Sequence, residues 1–85
     1  MYITINIQSV KEHKNYFEFT GVHNDWSRLD SEPEVLKFQV DMTDTKGQAQ
    51  LNNLINFNKK TSGTLRDRVL DLVGCDGGFN EIWRV

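Results

Sequence analysis

The chain has 85 residues, of which 38% are hydrophobic and 26% charged, and its formal net charge is −2. This length indicates a single domain over residues 1–85, and the supply of aliphatic and aromatic side chains excludes a disordered chain. The small negative charge excludes binding to nucleic acid or anionic lipid that rests mainly on electrostatic attraction.

Cysteine content bears on the cellular compartment. Cys75 is the only cysteine, which excludes an intramolecular disulfide. Small secreted domains usually depend on disulfides, so we expect a cytoplasmic protein. No apolar run reaches the roughly 20 residues that a membrane-spanning helix needs. No metal or cofactor is predicted, because Cys75, His13 and His23 lack the spacing of zinc ligands.

Alternation of apolar and polar residues predicts three strands in the first half of the chain. They cover residues 2–8, 16–20 and 36–42, and the polar residues 11–15 predict a turn that joins the first two as a hairpin. The side chains predicted to form the dry face of the sheet are Ile3, Ile5, Phe17, Phe19, Phe38 and Val40. One wet face and one dry face are typical of an antiparallel sheet.

Residues 44–58 are harder to interpret. Asp44 to Gly47 predicts a tight turn in which glycine supplies a positive φ. In residues 48–58 a helix would place Leu51, Leu54 and Ile55 on one face, but the stretch holds four asparagines, which disfavour helix interiors. We therefore favour a fourth strand here, paired with the third.

One helix and a last strand complete the predicted fold. Thr64 and Asp67 have the spacing of a capping box, and Gly74 stands where a left-handed residue often ends a helix. Residues 79–85 predict a strand with Trp83 turned to the core. The resulting order, β-β-β-β-α-β, is an α+β fold with one helix packed against an antiparallel five-stranded curled sheet or partial barrel.

Catalytic residues are not apparent in the sequence, and we predict that the protein is not an enzyme. Nucleophilic catalysis needs a nucleophile, a nearby base and an orienting group. His13 falls in a predicted turn, His23 follows a predicted strand, and Cys75 follows the end of the predicted helix. None of these positions pairs a base with a nucleophile.

The long connection over residues 22–34 is acidic and contains a tryptophan. Tryptophan and arginine are enriched in protein-binding hot spots, so the predicted partner-binding residues are Trp26, Arg28, Asp30 and Glu32. Trp26 also suits a second interpretation, in which it folds back over one end of the barrel, and both stay open. The first hypothesis is a protein-binding inhibitor or accessory factor, of the kind phages and mobile elements encode, that occludes a partner protein. We expect a monomer, or a homodimer formed through an edge strand.

Single-stranded nucleic-acid binding is the alternative hypothesis. A basic segment precedes the predicted helix, and exposed aromatic rings can stack on bases. The residues that would carry this binding are Lys59, Lys60, Arg66, Arg68, Tyr2 and Tyr16. Antiparallel pairing, however, places the two tyrosines near opposite ends of the first hairpin.

Part of the chain resembles small phage-encoded, replication-associated proteins with an OB-like core. The residues concerned are Leu36–Val40, the turn at Gly47, Leu51–Leu54 and Leu72–Gly74. The resemblance implies a barrel that binds single strands. The chain departs from the pattern in its negative charge and in the absence of a basic groove, so no binding residue is assigned from it.

Overall fold

The structure is a computed structural model that describes residues 2–23 and 33–85. The helices and strands are, in chain order, β1 (Tyr2–Glu12), β2 (Tyr16–His23), β3 (Glu34–Asp41), α1 (Thr45–Phe57), α2 (Leu65–Leu70) and β4 (Asp76–Asn80), followed by one 3₁₀ turn (Glu81–Trp83). The four strands form one antiparallel sheet in the order β3-β2-β1-β4. The sheet curls into a half-barrel and packs against the two helices, so the α+β class is confirmed.

The dry face of the sheet is the predicted one. Of the six side chains assigned to it, five are buried and Ile3 is partly buried against the same core. Pairing between β2 and β3 sets Phe17 opposite Val40 and Phe19 opposite Phe38, so these side chains share one face. The predicted hairpin of the first two strands is also confirmed.

A β-bulge in β1 adds to the curl of the sheet. The register with β2 shifts between Ile7 and Ser9, next to the pair formed by Ile7 and Gly21. A Cβ atom at Gly21 would lie 2.6 Å from the backbone carbonyl oxygen of Asn6, which leaves room for glycine alone. Bulges increase the local twist of a strand, and this one lies at the centre of the long strand β1.

The predicted fourth strand over residues 48–58 is wrong, because these residues belong to helix α1. Its buried residues are Gly47, Gln50, Leu51, Leu54 and Ile55, which recur at the three- and four-residue spacing of a helix face. Burial of this stripe against the sheet outweighs the weak helix propensity of asparagine, as tertiary packing commonly does.

The asparagines of α1 lie where they cost the helix little. Asn52, Asn53 and Asn56 are exposed, and Asn58 is the C-cap residue. The Nδ2 atom of Asn58 donates to the carbonyl oxygen of Leu54 at 3.0 Å. Asparagine favours helix ends because its side chain hydrogen-bonds to nearby backbone groups. Three of the four are thus solvated and the fourth ends the helix.

The predicted turn over residues 44–47 is also wrong, because it is the start of α1. The carboxylate of Asp44 accepts a hydrogen bond from the backbone N–H of Lys46 at 3.1 Å, as an N-cap residue does. Gly47 is helical, and a Cβ atom there would collide with the carbonyl oxygen of Asp41. Glycine therefore lets α1 approach the end of β3.

Helix α2 begins as predicted and the last strand does not. Thr64 and Asp67 form the capping box. Gly74 has the left-handed φ that was predicted, 90°, but α2 already ends at Leu70, with Asp71 as its C-cap. Strand β4 begins earlier than predicted and ends at Asn80. The chain then crosses to the far side of the half-barrel, where Arg84 forms a bridge with Phe38. The predicted strand over residues 79–85 is therefore divided between two places in the fold.

Lys59 allows a test of how helix α1 ends, because it lies directly after the C-cap residue Asn58. Its φ is 56°, and the N–H groups of Lys59 and Lys60 bond to the carbonyls of Asn56 and Ile55, as in a Schellman motif. We expect Lys59→Gly to raise the free energy of unfolding by about 0.5–1 kcal/mol in urea titrations, because glycine has no left-handed penalty. Lys60→Gly is the control and gives no gain. A loss of stability in Lys59→Gly would contradict the helix end.

The capping box of α2 predicts a dependence of stability on pH. Hydrogen bonds from the backbone N–H and the side chain of Thr64 hold the pKa of Asp67 below its ordinary value of 3.8. A depressed carboxyl pKa stabilises the fold above the unfolded-state pKa, and this contribution is lost as the pH falls through the folded-state pKa. We expect the wild type to be more stable than Asp67→Asn near neutral pH and equal to it at about pH 2 in urea titrations. An advantage that persists in acid would contradict this role of the carboxylate.

Candidate functional site

A hollow on the described surface lies between helix α1 and strand β4. Its volume is about 470 Å³, within the range of ligand pockets. The residues that line it are Thr4, Gln50, Asn53, Leu54, Phe57, Asp76, Gly77 and Gly78. A concave surface of this size admits side chains of another molecule.

A second hollow of about 240 Å³ adjoins the first, because Gln50 and Asn53 line both. Its other lining residues are Tyr2, Lys46, Ala49, Asn80, Ile82 and Trp83. The two hollows together form one groove that follows α1 on one side and β4 with its 3₁₀ turn on the other. We call it the α1–β4 groove.

Three large apolar side chains along the α1–β4 groove are exposed. Phe57 is 77% exposed, Ile82 76% and Tyr2 63%. Single exposed apolar residues are common, whereas several that line one concavity are typical of an interaction site. Lys46 and Asp76 are the only charged residues among those that line the groove. Interface cores are depleted of charge and enriched in aromatic residues, as this groove is.

Two glycines of β4 shape one wall of the groove. A Cβ atom at Gly77 would lie 2.6 Å from Cδ2 of Leu54, so the glycine lets the side chain of Leu54 pack closely against β4. A Cβ atom at Gly78 would meet nothing within 4 Å. Gly78 is therefore not required by internal packing, and the missing side chain leaves this part of the groove open.

The predicted partner-binding residues Trp26, Arg28, Asp30 and Glu32 lie outside the described residues. Strand β2, which leads into their connection, ends near the groove, whereas β3, which follows the connection, begins at the opposite edge of the sheet. His23 pairs with Glu34, and Nδ1 of the His23 ring lies 3.0 Å from the carbonyl oxygen of Thr4, which lines the groove.

The four basic residues of the nucleic-acid hypothesis do not form a free cationic surface. Lys60 pairs with Asp71 at 3.4 Å and Arg66 with Glu12 at 2.8 Å. The hydrogen bond from Arg66 to Glu12 raises the pKa of Arg66 above its ordinary value. Arg68 donates from Nε to the carbonyl oxygen of Gly63 at 3.2 Å, and Lys59 is exposed at the end of α1.

The two tyrosines of the same hypothesis lie far apart on the sheet. Tyr2 pairs with Asn80 at one end of β1 and lines the groove. Tyr16 begins β2, beyond the other end of β1, where its ring stacks on His13 with centroids 4.3 Å apart. The rings therefore do not form one stacking platform.

The groups with acid–base or metal-binding chemistry are also dispersed. Nε2 of His13 lies 3.2 Å from Oε2 of Glu18, whereas His23 lies at the opposite end of β2. Cys75 is a half-buried free thiol. Within residues 2–23 and 33–85, no three His, Cys, Asp or Glu side chains lie together as a metal site would require.

The sequence points to Tyr2 as a binding residue, although for nucleic acid, and does not point to Phe57 or Ile82. The predicted strand over residues 48–58 contains Phe57, whereas Phe57 is the last residue of α1 and lies outside its buried stripe. Ile82 was read as strand, whereas it lies in the 3₁₀ turn. A helical reading of residues 45–57 would have marked Phe57 as an exposed aromatic residue.

Comparison with known proteins finds no relatives: no protein-family model matches the chain, and no curated protein or solved structure matches it significantly. Among the described residues, neither helix is long and apolar enough to cross a membrane.

Proposed function

We propose that this chain is a non-enzymatic domain that binds another protein through the α1–β4 groove. The observation that carries the proposal is the exposed Phe57 at one end of the groove, with Tyr2 and Ile82 exposed at the other. The occupant is a segment of a partner protein that places apolar side chains between α1 and β4. Binding there would occlude that segment, as an inhibitor or accessory factor does.

The chemistry of the groove favours a protein partner. Aromatic side chains contribute large contact areas at little entropic cost. The polar residues along the walls, Asn53 and Asn80 among them, are neutral amides that hydrogen-bond readily to a peptide backbone. A segment with apolar side chains and a free backbone matches both features.

The acidic connection is the second element of the proposal. It joins the sheet at His23, which contacts Thr4 of the groove wall. We propose that Trp26, Arg28, Asp30 and Glu32 also contact the partner. Tryptophan and arginine residues often supply the largest share of binding energy.

Single-stranded nucleic-acid binding remains the alternative. It has less support because Arg66 and Lys60 are paired with carboxylates and because Tyr2 and Tyr16 lie at opposite ends of the hairpin. A backbone-binding groove would present free cations along its length, and the α1–β4 groove presents Lys46 alone.

The groove predicts that Phe57→Ser weakens partner binding at least about tenfold without loss of stability, because an exposed aromatic anchor adds to binding and not to the core. A photo-crosslinking residue at Asn53 captures the partner from a lysate of the source cells, and the same residue at Gln39 on the outer face does not. The purified partner is then titrated against each variant by calorimetry.

Val35→Ser is the matched control, because Val35 is 64% exposed on the outer face of β3 and does not line the groove. We expect it to bind like the wild type. Trp26→Ala is titrated in parallel, with weaker binding expected. Wild-type affinity in Phe57→Ser would show that the partner does not bind in the groove. Wild-type affinity in Trp26→Ala would show only that Trp26 does not contribute to binding.

The charge distribution predicts no binding to nucleic acid. Labelled single-stranded oligonucleotides at low salt should show no change in fluorescence anisotropy with the protein, because backbone binding requires unpaired cations. A complex that weakens steeply with added salt, and that is lost in Lys59→Gln, would instead establish the alternative.

A further inference from the structure

Strand β4 forms an edge of the sheet, and within residues 2–23 and 33–85 its outer side has no strand neighbour. Unpaired strand edges tend to pair with other chains, and proteins protect them in recognisable ways. Strand β4 has five residues, and its two central glycines offer no side chain that could shield the edge.

Helix α1 supplies the missing protection through residues spaced four apart. Nε2 of Gln50 donates to the carbonyl oxygen of Gly78, and Nδ2 of Asn58 donates to that of Asp76 at 3.2 Å. Leu54, midway between them, packs against Gly77. One row of the helix thus contacts β4 residue by residue.

The burial of Gln50 supports a specific role for its amide. It is 8% exposed and is the one polar side chain buried in the described part of the chain. Burial of an amide is unfavourable unless it is hydrogen-bonded. An aliphatic residue would fill the same place in the stripe of α1 without that penalty, so the bond to Gly78 explains why glutamine is tolerated there.

The carbonyl groups of Gly78 and Asp76 accept hydrogen bonds from Gln50 and Asn58, so both carbonyl groups point away from β1. The N–H and C=O groups of one residue in an antiparallel strand point to the same side, so the N–H of Gly78 points outward too. An incoming strand would need both groups of Gly78, and Gln50 already occupies the carbonyl.

We propose that Gln50 and Asn58 protect the edge of β4 and prevent it from pairing with a second copy of this chain. The other edge of the sheet is protected in a similar way, since Arg84 bridges Phe38 and the N–H of Val85 donates to the carbonyl of Lys37 at 2.9 Å. The proposal is independent of the function assigned to the groove.

Gln50→Met tests the proposal, because methionine keeps the unbranched shape of glutamine and lacks the donor. Asn53→Met is the matched control, since it adds the same side chain to the same groove and removes no bond to β4. Sedimentation equilibrium over a dilution series measures self-association. We expect a monomeric wild type and control, and self-association at least about tenfold tighter in Gln50→Met, because the carbonyl of Gly78 is left without its donor.

Amide hydrogen exchange identifies the contact. In the associated Gln50→Met variant the N–H of Gly78 should exchange more slowly than in the monomer, because it pairs with a second copy. A monomeric Gln50→Met, equal association in Asn53→Met, or a wild type that already associates through β4 would each overturn the proposal. If Gln50→Met does not fold, Gln50→Leu replaces it with the same expectations.

Discussion

The packing of Phe79 against both Phe19 and Phe38 holds the half-barrel together. Its ring centroid lies 5.0 Å from each of the other two, and all three side chains are fully buried. β4 and β3 are at opposite ends of the sheet, so Phe79 reaches Phe38 only because the sheet curls. Buried aromatic pairs of this kind contribute about 0.5–1.5 kcal/mol each beyond their area.

The curl determines where the other segments lie. Once β4 faces β3 across the core, the chain after Asn80 needs only the 3₁₀ turn to reach the edge of β3 at Phe38. Helix α1 then contacts both β3 and β4 and fills the side that the sheet leaves open. The groove lies along the border between α1 and β4, where Phe57 and Ile82 are left exposed.

The strands could be predicted from the sequence because a half-buried strand alternates with period two, and β1, β2 and β3 do so clearly. Helix α1 could not be predicted in the same way, because its few apolar residues fit both the two-residue period of a strand and the 3.6-residue period of a helix. In a strand, Asn53 would lie on the apolar face and Leu54 on the polar face. These two exceptions indicate a helix, but the four asparagines of the segment disfavour a helix interior. The start of α1 was missed for a related reason: Gly47 was read as a turn residue, whereas its role is a close approach to Asp41.

The groove was beyond prediction for a different reason. Its walls come from residues that are far apart in sequence, Tyr2, Phe57 and Ile82, and only the packing of α1 against β4 brings them together. Local patterns show which residues are apolar, and they do not show which of them the tertiary fold leaves uncovered. The acidic connection, in contrast, was recognisable from composition alone.

The protected edge limits how a partner can occupy the groove. Addition of a strand to β4 would displace Gln50 from Gly78 and leave its amide unsatisfied in a buried position, which is costly. Insertion of apolar side chains between Phe57 and Ile82 requires no such displacement and covers the surface that is exposed. The two proposals are therefore compatible: the amides of α1 exclude strand pairing at β4, and the groove beside them binds a partner through its side chains.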